Sequence, residues 1–254
     1  MAVSQIIDKI KNKEDILISV VGDSITYGEN HCMPEETYTA KLALLFALYF
    51  PEATVYRYDG IVKEEANPLS GYTRGILVKR GTSNQVLRIV RSGVGGDTVQ
   101  RLINRIDDFT DEIVESKNPD LITIMVGIND ALQSDPKKYV TDEVFEKNYN
   151  ILIDMILKRN PNVQLVLLTP SVNDIGTTKS SHLEPYCDRV KKICKERGLP
   201  FIDVHKLWLD HMIPGSENFG QRDWLSNSST DACHPSPIGA EETAKFIFES
   251  LMIL

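Results

Sequence analysis

The chain has 254 residues, 42% of them apolar and 25% charged, proportions ordinary for a soluble globular protein and sufficient for one large α/β domain with a sizeable core. A net charge of −8 leaves no basic excess to neutralise phosphates, so nucleic acid is not expected as a main partner. No leader-like apolar region precedes the first strand, and the longest apolar run, residues 42–50, is too short to span a bilayer, so no membrane span and a cytoplasmic location are expected.

Val3, Ile6, Ile7 and Ile10 recur at helical spacing and predict a short amphipathic opening helix. Residues 16–21 form an apolar, β-branched run, read as a buried parallel strand, and it ends abruptly in Gly22-Asp23-Ser24-Ile25-Thr26-Tyr27-Gly28. After a polar stretch over 29–36, Thr37 is placed to cap a helix that runs to about residue 50, where Pro51 stops it. Residues 53–85 hold Tyr56, Tyr58 and Tyr72 among several glycine and proline breaks. Short strands are expected at 54–58 and 76–79, with a hairpin around 81–84. The segment reads either as an insertion flanking a site or as a surface hairpin with no contact to ligand.

The second core strand is expected at 86–90, ending in Ser92-Gly93-Val94-Gly95-Gly96-Asp97-Thr98, after which Val99, Leu102, Ile103 and Ile106 share one helical face. The third, 121–126, ends in Gly127-Ile128-Asn129-Asp130, and a long helix follows over 142–159. A fourth strand at 163–169 ends at Pro170, a helix at 182–197 is stopped by Gly198, and a fifth strand lies at 201–204. Cys187 and Cys194 stand seven apart in that helix, about 10 Å between Cα atoms and too far for a disulfide. Cys32 and Cys233 complete a set of four thiols expected to be reduced. A long connection over 205–233, with one helical turn near 207–212, leads to a last helix from Pro237; a loop of that length in a compact domain is usually functional. Strands alternating with helices predict a mainly parallel five-stranded sheet covered on both faces, in a single domain spanning 1–254.

Four loops carry groups suited to chemistry: Gly22 to Thr26, Gly95 to Thr98, Gly127 to Asp130, and Asp231-Ala232-Cys233-His234. The first three follow strands at their carboxyl ends, the edge at which open α/β sheets bind ligands. Acyl transfer needs a hydroxyl whose proton a neighbouring base removes, a third group that orients the base, and donors aimed at the developing oxyanion. Ser24 can be the nucleophile, His234 the base and Asp231 its orienting group. The backbone N–H groups of Ser24 and Gly96, with the Asn129 amide, can form the oxyanion hole. Asp23, Thr26 and Asp130 are expected to hold the loops together. Each residue also has a structural account: Asp23 or Ser24 as a helix cap, Gly96 as a positive-φ residue, Asn129 as a loop hydrogen-bonder, Asp231 and His234 as a surface pair. His182, His205 and His211 lie in or beside helical stretches and are expected to be structural or exposed. Tyr27, Tyr56, Tyr72, Trp208, Phe219 and Trp224 are candidate cleft residues. His31, Cys32, Cys233 and His234 have zinc-ligand chemistry, but nothing fixes four ligands, so no metal or cofactor is expected.

Together the four loops resemble the ordered sequence blocks of the SGNH hydrolase superfamily, the GDSL-type esterases and lipases. Gly22-Asp23-Ser24-Ile25 resembles the first block, with isoleucine for the usual leucine. Gly95-Gly96-Asp97-Thr98 resembles the second, Gly127-Ile128-Asn129-Asp130 the third, and Asp231 to His234 the fifth. Arg91 stands where many relatives have an asparagine, which leaves the hydrogen bonding beneath the second loop open. The resemblance implies a flavodoxin-like three-layer α/β/α domain and metal-free ester hydrolysis through an acyl-enzyme. It implies varied substrates: acetylated carbohydrates, short-chain esters, thioesters or lipids. A serine esterase acting on short-chain or O-acetyl esters is the expected function. The alternatives are a lipase- or thioesterase-type acylhydrolase and a catalytically silent sugar- or lipid-binding module. The oligomeric state is left open.

Overall fold

The computed structural model describes residues 4–28, 32–59, 75–111, 113–172, 182–211, 224–225 and 233–254. The opening helix α1 (Ser4–Lys11) buries Ile6, Ile7 and Ile10, its apolar stripe. β1 (Ile16–Gly22) is buried at every position, as a strand covered on both faces must be. It feeds the short helix α2 (Ser24–Tyr27), followed by α3 (Tyr38–Tyr49), β2 (Thr54–Tyr58), β3 (Ile76–Lys79) and β4 (Val86–Gly93). Then come α4 (Val99–Asn104), α5 (Asp107–Thr110), β5 (Leu121–Met125), α6 (Asp142–Arg159), β6 (Gln164–Leu168), α7 (Glu184–Arg197), β7 (Phe201–Ile202), α8 (Val204–His211) and α9 (Pro237–Ile253). Three of the longer helices begin on side-chain caps: Thr37 accepts from Ala40 N–H, Thr141 from Val144 N–H and Ser236 from Gly239 N–H.

Among the described residues seven strands form one sheet in the order β3-β2-β4-β1-β5-β6-β7. All neighbours are parallel except β2 and β3. Helices α1, α3 and α8 each pack on α9, and α4 and α7 each pack on α6, two helix groups that with the sheet make a three-layer α/β/α arrangement. The expected count of five strands is corrected to seven. The two additions are the short strands at 54–58 and 76–79, which extend the main sheet. The expected hairpin at 81–84 is corrected too: β2 inserts between β3 and β4, so the strands flanking that turn do not pair. The turn instead docks on the start of β2, Gly81 N–H donating to Thr54 Oγ1 (3.1 Å) and Ser83 N–H to Glu52 O (2.9 Å). β3 is half-exposed to exposed along its length, as suits an edge strand.

β1 lies at the centre of the sheet, and its register sets Gly22 beside Gly93 of β4 and Met125 of β5. Three of the four loops therefore leave adjacent strands at one edge, where the chain crosses from one side of β1 to the other. Gly93 makes the contact with α2 possible. A Cβ there would fall 2.4 Å from Tyr27 N and 2.7 Å from the Thr26 carbonyl carbon, which are backbone atoms that cannot swing away. No helix among the described residues is long and apolar enough to cross a membrane.

Candidate active site

Gly22 is the last residue of β1, and the chain turns at once into α2. The N-cap of that helix is Asp23, whose carboxylate accepts the Ile25 N–H at 3.0 Å. This frees Ser24 from capping. It is half-buried at the first helical position, and its Oγ lies 2.8 Å from Nε2 of His234. Those two residues are 210 apart in the chain. His234 is carried by the approach to α9: Ser236 N–H donates to Trp224 O (2.7 Å), Leu225 bridges Pro235, and the Cys32 thiol donates to Pro235 O (3.4 Å). Nδ1 of His234 faces the Cys233 sulfur at 3.5 Å. Asp231 and His31 lie outside the described residues, as do Tyr72 and Phe219.

The second and third loops are tied to each other. Gly96 has φ +76°, a conformation that glycine adopts without strain. Asn129 is buried, and its Nδ2 donates to the Asp97 carbonyl at 3.0 Å, so one hydrogen of the amide remains for another acceptor. Asp130 accepts the Val99 N–H at the start of α4 with both carboxylate oxygens (3.2 and 3.3 Å). The second loop reaches the first through Val94 N–H to Gly22 O at 3.2 Å. The structure thus brings Ser24 and His234 into direct contact and links Gly96, Asn129 and Asp130 through hydrogen bonds between their loops.

Two arginines that carry this arrangement went unassigned at the level of sequence. Arg105 grips Asp97 with Nε and Nη2, each 2.6 Å from Oδ2, and also donates to Ser92 O (2.8 Å) and Gly22 O (3.4 Å). One guanidinium thereby clamps the carboxyl ends of β1 and β4 to the second loop. Arg91, the departure from the family pattern, does not brace the second loop. It donates to Tyr27 O at 2.7 Å and to Asp59 O at 3.3 Å, and its guanidinium sits 5.2 Å over the Tyr27 ring, so it supports the far end of α2. No local pattern marks Arg105, and Arg91 shows in the sequence only as a departure, since its partner Tyr27 is 64 residues away. Of the cleft candidates, Trp208 is corrected to core, its Nε1 donating to Thr243 Oγ1 (3.1 Å), and Trp224 is buried against it. His205 is buried with Nδ1 on Ser171 O (2.6 Å), and His211 stacks on Trp224.

Asp23, Asp97 and Asp130 are all buried beneath these loops. Burial pushes the Asp23 carboxyl up from 3.8 to about 7, with the Asp97 charge adding to the effect, and pushes Asp130 to about 7 likewise. Asp97 is also raised by burial, with Arg105 working against the rise. The folded chain therefore holds protons on Asp23 that the unfolded chain releases between about 3.8 and 7, and stability falls as pH climbs through that window. Asp23→Asn keeps an oxygen for the Ile25 N–H and cannot ionise. It is expected to gain stability relative to wild type between pH 4 and pH 8 by about 1 kcal/mol or more, each tenfold change in acidity being worth about 1.4 kcal/mol. Denaturant melts of both proteins at the two pH values measure the gap; a gap that does not widen with pH refutes the expectation.

In comparisons with known proteins, the family model described as the GDSL-like Lipase/Acylhydrolase family matches residues 20–241. The chain is 23% identical over 168 residues to an arylesterase of Vibrio mimicus, a match covering 66% of this chain and 72% of that protein. It is 28% identical over 124 residues to an acetylxylan esterase of Geobacillus stearothermophilus, covering 46% of this chain and 54% of that protein. Among solved structures, the lipase/acylhydrolase from Enterococcus faecalis superposes with a TM-score of 0.63 at 20% identity, covering 93% of this chain and 95% of that one, a likeness of fold.

Proposed function

Because this chain belongs to the GDSL-like lipase/acylhydrolase family and is a carboxylic ester hydrolase, we propose that it cleaves short-chain and O-acetyl esters, acetylated carbohydrates among them, through an acyl-enzyme on Ser24. The whole chain acts as one catalytic domain on this reading. The observation that carries it is the 2.8 Å contact between Ser24 Oγ and His234 Nε2.

Ser24 Oγ attacks the ester carbonyl carbon while His234 Nε2 takes the hydroxyl proton. The carbonyl oxygen becomes an oxyanion, which accepts from the backbone N–H groups of Ser24 and Gly96 and from the remaining Asn129 Nδ2 hydrogen. When the tetrahedral adduct collapses, the C–O bond to the alcohol breaks and His234 returns its proton to the leaving oxygen. A water then gives a proton to His234 and attacks the acyl carbon. As the acyl–Ser24 bond breaks, His234 returns that proton to Ser24 Oγ, which releases the acid and restores the hydroxyl. Asp231 orients the imidazole through Nδ1 on this reading.

Two features support a small acyl group. The sequence offers no long apolar lid segment of the kind a lipase needs, and one similar protein is an acetylxylan esterase. A panel of p-nitrophenyl esters from acetyl to palmitoyl, run beside acetylated xylooligosaccharides, tests the proposal. Turnover is expected to be highest for acetyl and butyryl esters, with acetate released from the oligosaccharides. A preference for long chains would replace this reading with a lipase or thioesterase. A folded protein that neither turns over any ester nor labels with a fluorophosphonate at Ser24 would be a binding module.

A further inference from the structure

We infer that Lys138 is a positioning residue of the ester-cleaving site, one that sets the orientation of the Asn129 amide and places a positive charge beside the oxyanion; the inference rests on the proposed role of Asn129. Nothing in the sequence pattern marks this lysine. It lies in the connection between β5 and α6, in a turn that folds back on the third loop: Lys138 N–H donates to Asp135 O and Val140 N–H to Asp130 O, both at 3.0 Å.

The Lys138 side chain is only 22% exposed. Its Nζ lies 3.5 Å from Asn129 Oδ1, and 3.4 Å from where a Cβ on Gly96 would stand. The ammonium therefore reaches both loops that supply oxyanion donors. Its other partner, Asp135 at 3.5 Å, is an i,i+3 ion pair near the surface, a kind worth little by itself.

An asparagine amide has two faces that differ only in which end is oxygen. In the observed setting Oδ1 faces a cation and Nδ2 faces the Asp97 carbonyl. The flipped amide would set an NH₂ against an ammonium and an oxygen against a carbonyl oxygen, which is repulsive at both ends. Lys138 and Asp97 thus leave one orientation, and it is the one that keeps an N–H available. A cation on Oδ1 also draws electron density from the amide and strengthens its N–H as a donor. The charge has a second effect. Asp23, Asp97 and Asp130 lie buried below the same loops, and any negative charge on them opposes a developing oxyanion. Arg105 neutralises Asp97 from one side, and Lys138 brings a second cation against the Asn129 amide.

The test measures kcat and KM on p-nitrophenyl acetate, a neutral ester with no group for an ammonium to bind, for K138M, K138R, N129A and K138M/N129A. K138M is expected to lower kcat about tenfold with KM nearly unchanged, a fraction of the roughly 100-fold that losing a whole oxyanion donor costs. K138R, which keeps the charge, is expected to restore most of the turnover. In the double variant the added loss over N129A is expected to be smaller than the loss K138M causes by itself, because the part that acts through the amide is already gone and only the effect of the charge remains. Unchanged kcat in K138M, a change in KM alone, or losses that multiply in the double variant would overturn the inference. If K138M does not fold, K138A, which likewise removes both the charge and the donor, is read by the same criteria. Failure of the underlying reading shows separately, as an N129A enzyme with wild-type turnover.

Discussion

Ser24→Ala is expected to keep its fold and melting temperature while losing hydrolysis of a p-nitrophenyl ester by roughly 10⁴-fold or more, the scale seen when a serine hydrolase loses its nucleophile. The two halves of that expectation rest on different atoms. The hydroxyl contributes nothing to the start of α2, because Asp23 supplies the cap through Ile25 N–H. The backbone contacts of Ser24, such as its carbonyl accepting from Gly28 N–H at 2.8 Å, survive the change. What disappears is the hydroxyl that His234 Nε2 contacts at 2.8 Å, the group deprotonated on the proposed mechanism. Steady-state rates and a thermal melt on the same preparation measure both halves, and a fluorophosphonate probe should label the wild type only. Activity near the wild-type level would remove Ser24 from the mechanism.

The next largest effect is expected from His234→Ala, and it carries a stronger test when combined with the first. A serine hydroxyl without its base is a poor nucleophile, so this variant should lose turnover by roughly 10³-fold or more. On the proposed mechanism the two side chains work as one unit, so the Ser24→Ala/His234→Ala protein should be no slower than the worse single variant by more than a small factor. Stability should change little, since the approach to α9 is held by other atoms: the Ser236 cap, the Ser236–Trp224 backbone bond and the Leu225–Pro235 bridge. Losses that multiply in the double variant would mean that serine and histidine act independently, and the acyl-enzyme proposal would fall with that result.

Much of the frame was legible along the chain because it rests on local physics. A β-branched run such as 16–21 favours extended backbone, its burial on both faces shows as unbroken apolarity, and Gly or Asp at its end announces a turn. The helix over 142–159 was legible from its periodicity, and the one expected at 182–197, which starts at Glu184, from the Gly198 that stops it. Strand neighbours were not. β2 belongs between β3 and β4, a pairing across segments separated in the chain that no local pattern records. Ser24, Asn129 and His234 were legible as residue types in ordered loops, and Gly96 as a glycine where φ becomes positive.

The sequence by itself determined which strands form and which chemical groups stand at their carboxyl ends, because propensity, periodicity and turn chemistry act over a few residues. Only the tertiary structure decided that Asp23 rather than Ser24 caps α2, that Arg91 braces Tyr27, that Arg105 clamps Asp97, and that Lys138 reaches Asn129. Those pairings join groups by direction and distance in space. Any of several arginines or lysines would satisfy the same one-dimensional pattern, and the packing of the sheet selects among them.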